Sequence, residues 1–306
     1  MPAAPPGPLD GKQVVLTGAT NGIGLAAIGQ LAARGANIAL VARDRERGEA
    51  AARRAREAAR AGGHHVVVDV VAGDLSSQAD VRRFASWVVA HYPKVDILIN
   101  NAGANYSRRR VTSDGIEMTW ALNHLAPFLL TTLLLDRMGG SAPSRVITTA
   151  SDASRGAHIP FDDLDGTKVY SGFAPGKGFR RYGQTKLANI VFTMELARRA
   201  KGTGVRAYSF HPGLVATGFN HNNGLVAEAA MAVIKPFARR PDEGADTLVW
   251  LAEVPLPEVA NGGYFFDRRE HQAPAGAKER EVGPRLWEIS ENQVKGSELS
   301  AGPEFS

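Results

Sequence analysis

Apolar runs of five to eight residues alternate with longer stretches of helical period along this chain. A parallel sheet covered by helices on both faces requires that order, because strands buried on two sides read as near-continuous apolar runs. The runs predict about seven strands, at Gln13–Thr17, Asn37–Ala42, His65–Val71, Val95–Ile99, Arg145–Ala150, Val205–Phe210 and Gly263–Phe266, each flanked by helix or turn signals. Helices fill the intervals, one of them starting near Ser76 and another spanning residues 182–194. No internal repeat appears, and only the proline-rich start and the stretch from Gly296 to Ser306 are of low complexity. The chain is therefore expected to be a single α/β domain over residues 11–294, with flexible tails at 1–10 and 295–306.

The longest apolar run, Leu122 to Leu135, contains Asn123, His124 and Pro127 and falls short of the roughly 20 residues of a membrane span, which predicts a buried helix. The N-terminus has no basic start followed by an apolar core, so neither a signal peptide nor an anchor is expected. With no cysteine, the chain has no disulfide, thiolate metal site or cysteine nucleophile, and a reducing, cytoplasmic setting is the expectation. The formal charge of +5 does not point to nucleic acid: Arg53, Arg54, Arg56 and Arg60 are interleaved with Glu46, Glu49 and Glu57, the pattern of a solvated helix. Arg108 to Arg110 reads as a surface loop. The eight histidines are dispersed and suggest no metal.

Candidate chemistry starts at the first turn, Thr17-Gly18-Ala19-Thr20-Asn21-Gly22-Ile23-Gly24. Glycines between a strand and a helix let a pyrophosphate approach backbone N–H groups and the helix N-terminus. The second strand ends at Arg43, where an arginine would accept the 2′-phosphate of NADP and an acid would hold the ribose hydroxyl of NAD. NADP(H) is thus the preferred expectation, with NAD(H) open because Asp44 lies next door. Asp74 and Leu75 follow the third strand, placed to bond an adenine; Asp74 reads equally well as a helix cap. Asn100-Asn101-Ala102-Gly103 puts small polar residues at the carboxyl edge of the sheet, where open α/β folds bind ligands.

Tyr182 and Lys186 are four residues apart, so a helix places the phenol and the ammonium on one face. A neighbouring cation favours phenolate and is expected to pull the phenol toward a working pKa. Ser151 ends the fifth strand with its hydroxyl at the carboxyl edge, with Thr149, Asp152 and Ser154 as rivals for holding a substrate oxygen.

Taken together, the glycine turn, Asn-Asn-Ala-Gly, the serine after the fifth strand and Tyr-x-x-x-Lys resemble the classical short-chain dehydrogenase/reductase family, over about Gly11 to Phe266. The resemblance implies a Rossmann-like, doubly wound sheet of seven strands and hydride transfer between a nicotinamide and a carbonyl or alcohol carbon. It implies Tyr182 as proton donor or acceptor, Ser151 as the group fixing the substrate oxygen, and Lys186 as the partner that lowers the phenol pKa and holds the nicotinamide ribose. Asn123 looks like the family's helix asparagine that supports a water relay to the lysine. Pro212-Gly213-Leu-Val215-Ala-Thr217 looks like the segment holding the nicotinamide carboxamide. The family also suggests a homodimer or homotetramer, built on helices near Trp120–Arg137 and Tyr182–Arg199.

One departure narrows the subgroup. Ser151 and Tyr182 are 31 residues apart, where many members have about a dozen between them, so Phe161 to Arg181 is an insertion beside the site. Retinol-dehydrogenase-like and protochlorophyllide-reductase-like members carry such a segment. The run from Tyr182 to Arg199 resembles the retinol-dehydrogenase-like set, and the missing cysteines weigh against the chlorophyll enzyme. The apolar stretch Leu225 to Phe237 lies where the family places its substrate lid, which suggests an apolar small-molecule substrate or, equally, a helix packed on the core or on a partner subunit. An extended-branch epimerase expects a different glycine spacing, and a catalytically silent nucleotide-binding module would be expected to lose Ser151, Tyr182 or Lys186.

Overall fold

A computed structural model describes residues 6–172, 176–215, 238–256 and 258–295. Its sheet has eight strands in the order β3-β2-β1-β4-β5-β6-β7-β8. These are β1 Gln13–Thr17, β2 Asn37–Ala42, β3 Val68–Ala72, β4 Ile97–Asn100, β5 Ser144–Thr149, β6 Val205–Phe210, β7 Tyr264–Phe266 and β8 Arg269–His271. The first seven run parallel and β8 returns antiparallel along β7. The order reverses between β1 and β4, which opens a crevice at the carboxyl ends of those strands.

The eighth strand extends the expected count of about seven. Its residues, Arg269-Glu270-His271, carry no apolar alternation, and it forms because Asp267 and Arg268 turn at φ 49° and 57°. A short charged strand suits a sheet edge, where it discourages further pairing. The third strand starts at Val68 rather than His65. The start of the domain also moves: Leu9 is 2% exposed and its N–H donates to the Arg34 carbonyl at 3.0 Å, so the fold begins before Gly11.

Helices α1 Gly22–Ala32, α2 Arg45–Ala61, α3 Gln78–His91, α4 Met118–Gly139, α5 Lys177–Arg199, α6 Pro241–Glu253 and α7 Val282–Lys295 flank the sheet. Alternate strand residues point to opposite faces. Val14, Leu16, Ile38, Leu40, Ile97 and Ile99 join α1, α2 and α6 in one core, while Val15, Ala39, Leu98 and Val146 join α3, α4, α5 and α7 in the other.

Helix α4 is longer than the apolar run suggested, with 22 residues, and its most apolar 18-residue stretch has a mean hydropathy of 1.3, long and apolar enough to cross a membrane by length and composition. Here 72% of that stretch is buried inside the fold. It carries a π turn at Ala121–Leu125, a feature that often marks functional positions. The chain's own α7 packs on the two helices expected to form a subunit contact. Trp120 Nε1 donates to Gln293 Oε1 at 2.9 Å, and Trp287 stacks on Phe192 and meets Phe128 edge-on.

Candidate active site

The turn after β1 is held closed by side chains from neighbouring strand ends. Gly18 has φ +70°, and a methyl group there would lie 2.8 Å from the Ala102 backbone. A methyl on Gly24 would lie 2.0 Å from the Gly18 carbonyl oxygen, so only glycine lets α1 fold back onto the turn. Thr17 Oγ1 accepts from the N–H groups of Asn101 and Ala102 at 3.0 and 3.1 Å. Asn101 Nδ2 donates to the carbonyls of Thr17 and Gly18, and Asn101 Oδ1 accepts from Thr149 Oγ1 at 3.1 Å. The Asn101 side chain is thereby spent on joining β1, β4 and β5. Beside it Thr20, Gly22 and Ile23 are part-exposed around the α1 N-terminus, and Asn21 caps the helix by accepting from Gly22 N at 2.7 Å. The first turn of α1 holds no acidic residue, so its positive end is free to meet an anion such as a pyrophosphate.

Around that turn the remaining expected groups sit at strand carboxyl ends. Arg43 is exposed just past β2, while Asp44 caps α2 by accepting from Arg47 N at 3.1 Å. Asp74 is not the cap of α3; Ser77 is. The Asp74 Oδ1 accepts from both the N–H and the hydroxyl of Ser76 at 2.9 Å, shaping the turn in front of that cap. Leu75 is buried in the core. Pro212, Gly213 and Val215 follow β6, and a methyl on Gly244 would lie 2.7 Å from Val215 and 3.3 Å from Ile23, so this segment adjoins the glycine turn. Thr217 and the expected lid Leu225–Phe237 lie outside the described residues.

Helix α5 brings the reactive groups together. Tyr182 is 9% exposed, its hydroxyl is hydrogen bonded to that of Ser151, and Lys186 Nζ lies 5.6 Å from the phenol ring centroid. Ser151 caps a short 3-10 turn, Asp152–Ser154, accepting from Ala153 N at 3.2 Å. Lys186 Nζ donates to the Thr149 carbonyl at 2.8 Å. Asn123, on the π turn, donates to the Ala104 carbonyl and to Thr185 Oγ1 and accepts from Ala104 N. A methyl on Gly103 would stand 3.2 Å from Asn123 Oδ1 and 3.3 Å from Lys186 Nζ. Both polar atoms thus face one small gap over Gly103, the arrangement a bridging water or a ribose hydroxyl would use.

The electrostatics reverse one expectation. Burial pushes the Tyr182 phenol up to about 12, opposed by its hydrogen bond to Ser151. Burial also pulls Lys186 down to about 7, so near neutral pH it is a partial cation and not the strong acidifying charge that the four-residue spacing suggested. The protein's own groups therefore hold Tyr182 protonated.

Sequence reasoning missed several contributors. The Thr149 carbonyl anchors Lys186, and Gly183 lets α5 settle on the serine turn, since a methyl there would lie 2.4 Å from the Ala153 carbonyl oxygen. His211 stacks on Phe266 at 4.2 Å and its Nδ1 accepts from Gly213 N at 3.3 Å, fixing the turn after β6. Burial pulls that imidazole down to about 4, so it stays neutral. A polar residue directly before Pro-Gly was the available signal.

Residues 12–161 match the short chain dehydrogenase family model. Retinol dehydrogenase 14 of Homo sapiens is 39% identical over 304 residues, covering 94% of this chain and 88% of that protein. Retinol dehydrogenase 12 of Mus musculus is 40% identical over 283 residues, covering 92% and 86%. A crystal structure of a metagenomic short-chain oxidoreductase in complex with NADP superimposes with a TM-score of 0.62 at 25% identity, covering 85% of this chain and 97% of the other. With the glycine turn, the crevice and the Ser151, Tyr182 and Lys186 cluster in place, the chain belongs to the short-chain dehydrogenase/reductase family, in its retinol-dehydrogenase-like subgroup, as an NAD(P)-binding oxidoreductase acting on carbonyl or CH–OH groups.

Proposed function

We propose that this chain reduces the carbonyl of a bulky apolar substrate, or oxidises the matching alcohol, using NADP(H), with Tyr182 as the proton-transferring group. The observation that carries this reading is the buried Tyr182 phenol, hydrogen bonded to Ser151 at the carboxyl edge of the sheet, with Lys186 one turn further along α5. A carbonyl oxygen placed between the two hydroxyls receives a hydrogen bond from Ser151 and a proton from Tyr182 as its carbon becomes tetrahedral. NADP(H), when bound, supplies the hydride and, in its oxidised form, a positive ring charge that favours phenolate. Lys186 and Asn123 face the gap over Gly103 through which a proton can be returned to Tyr182. A phenol held protonated supports the reductive direction. The retained Ser151, Tyr182 and Lys186 cluster argues against a silent nucleotide-binding module.

Preference for NADP(H) is supported by Arg43, exposed past β2, and by Asp44 being engaged as the α2 cap. Replacing Arg43 with Glu is expected to weaken NADPH binding about 10- to 100-fold through loss of a charge-assisted phosphate contact, with NADH affected much less. Fluorescence titration of both nucleotides checks this, and equal losses for the two would remove the phosphate role.

An apolar substrate is supported by Phe179. This large ring is left 60% exposed one helical turn before Tyr182, its centroid 6.3 Å from the phenol ring. The relatives' names, which specify retinol, point the same way. A panel of carbonyls and alcohols followed by nicotinamide absorbance tests the activity. In that panel Phe179→Ser should lower kcat/KM about tenfold or more further for bulky apolar substrates than for small polar ones; losses of equal size would sink the apolar assignment.

A further inference from the structure

Helix α5 starts without a capping side chain. Its N-cap is Gly176, at φ +76° and with no side-chain hydrogen bond to the helix, yet Tyr182 must be held to a fraction of an ångström only one turn further on. The neighbouring residue supplies the anchor. Arg181 is fully buried, and its Nε donates to Glu117 Oε2 at 2.9 Å, a carboxylate that is itself fully buried. Its Nη1 reaches the Asp163 carbonyl and Gln184 Oε1, both at 3.4 Å, and its Nη2 donates to the Leu164 carbonyl. The guanidinium lies 5.2 Å from the Trp120 ring.

Glu117 serves a second helix at the same time. Its two oxygens accept from the N–H groups of Thr119 and Trp120, each at 2.9 Å, capping α4 just before the π turn that carries Asn123. The start of the expected insertion forms the third side. Asp163 accepts from the N–H groups of Lys168 and Val169 at 2.7 and 2.8 Å, so the loop that offers its carbonyls to Arg181 is itself tied shut. Tyr170 donates to the Tyr106 carbonyl at 3.0 Å, and a methyl on Gly166 would lie 3.2 Å from Glu117 Cγ. On the other side of Tyr182, Gly183 rests on the Ala153 carbonyl of the serine turn.

We propose that the buried Glu117–Arg181 pair is a positioning device: seated in the carbonyls of residues 163 and 164, it sets the helix turn bearing Tyr182 against the helix turn bearing Asn123. A buried ion pair yields little net stability over well-packed apolar side chains, whereas the rigid five-donor fork of arginine imposes a geometry. Displacement of a catalytic group by about 1 Å can cost on the order of a hundredfold in rate. The insertion thereby acquires a role as the cradle of that fork.

This inference rests on the assignment of Tyr182 as proton donor, and the experiment separates the two. Steady-state kinetics, NADPH affinity and thermal midpoint are measured for wild type, Arg181→Lys, the double variant Glu117→Leu with Arg181→Met, and Tyr182→Phe. Arg181→Lys keeps the charge and loses the fork; kcat is expected to fall about 10- to 100-fold with KM and the NADPH Kd within about threefold, and the solvent deuterium isotope effect on kcat should rise as proton transfer becomes slower. The apolar double variant is expected to keep its midpoint and show the same loss of kcat. Wild-type kcat in a folded Arg181→Lys or in the folded double variant overturns the proposal. Unfolding of both variants also overturns it, because the pair would then be a stabilising element. Turnover surviving in Tyr182→Phe overturns the proton-donor assignment instead, whatever the Arg181 variants do.

Discussion

Tyr182→Phe is expected to lower kcat by about a thousandfold while leaving NADPH affinity within about threefold of wild type. The phenyl ring keeps the packing of a side chain that is 9% exposed, so what is removed is the hydroxyl and its bond to Ser151. Loss of that bond should cost stability only about 1 kcal/mol. The loss in rate follows from chemistry: with no group to protonate the nascent alkoxide, hydride transfer would have to generate a charge that the remaining Ser151 hydroxyl only partly offsets. Single-turnover oxidation of NADPH with a competent carbonyl, alongside a nucleotide titration, reads both quantities. Retention of more than a tenth of the wild-type kcat would show that another group delivers the proton. Since burial holds the phenol near 12, reduction by the wild type should also run through neutral pH without an acidic optimum set by this group, and decline on the alkaline side as the phenol loses its proton.

The parallel strands were legible because burial on both faces leaves a composition signal that turns cannot imitate. Val14-Val15-Leu16 and Ile38-Ala39-Leu40 send alternate side chains into different cores, and both strands lie where the apolar runs put them. Arg269-Glu270-His271 was hidden for the opposite reason: one edge of the sheet, faced by solvent, asks for no apolar side chains at all. Leu9 was concealed by its neighbours, since one buried residue among prolines and glycines leaves no period to detect.

The reactive residues were legible as a set because each stands at an obligatory place, after a strand or on one helix face. Their electrostatics were not. The spacing of Tyr182 and Lys186 fixes their proximity, but the sign of a pKa shift depends on how much water surrounds the pair, and a run such as Lys186-Leu-Ala-Asn-Ile-Val does not reveal that α5 is buried on nearly every side. Asn101 shows the same limit. It reads in the sequence only as a small polar residue at the ligand edge, while its side chain is engaged by Thr17, Gly18 and Thr149, partners contributed by the ends of two other strands. Glu117 and Arg181, 64 residues apart, could not be paired before the insertion and α4 were seen together.

Lys186→Met is expected to reduce kcat by about a hundredfold or more and, at neutral pH, to make the protein more stable. Unfolded, this lysine titrates near its ordinary 10.5; buried in the fold it titrates at about 7. Between those values the unfolded chain binds a proton that the folded chain does not, so protonation favours unfolding and stability rises as pH rises through the window. Below about pH 7 the full cost of a buried ammonium is present, on the order of several kcal/mol at about 1.4 kcal/mol per pKa unit. Methionine removes that cost. It leaves the Thr149 carbonyl without the lysine bond, yet Asn189 Nδ2 still donates to that oxygen at 3.3 Å, so the carbonyl is not orphaned. Tyr182 contributes with the opposite sign only above pH 10, where the folded chain keeps its proton up to about 12. Thermal unfolding from pH 7 to 9.5 should therefore show the wild-type midpoint rising relative to that of Lys186→Met, with the gap closing toward alkaline pH. Parallel curves across that range would mean that Lys186 is charged in the folded protein, and the gap over Gly103 would then have to accommodate a permanent cation.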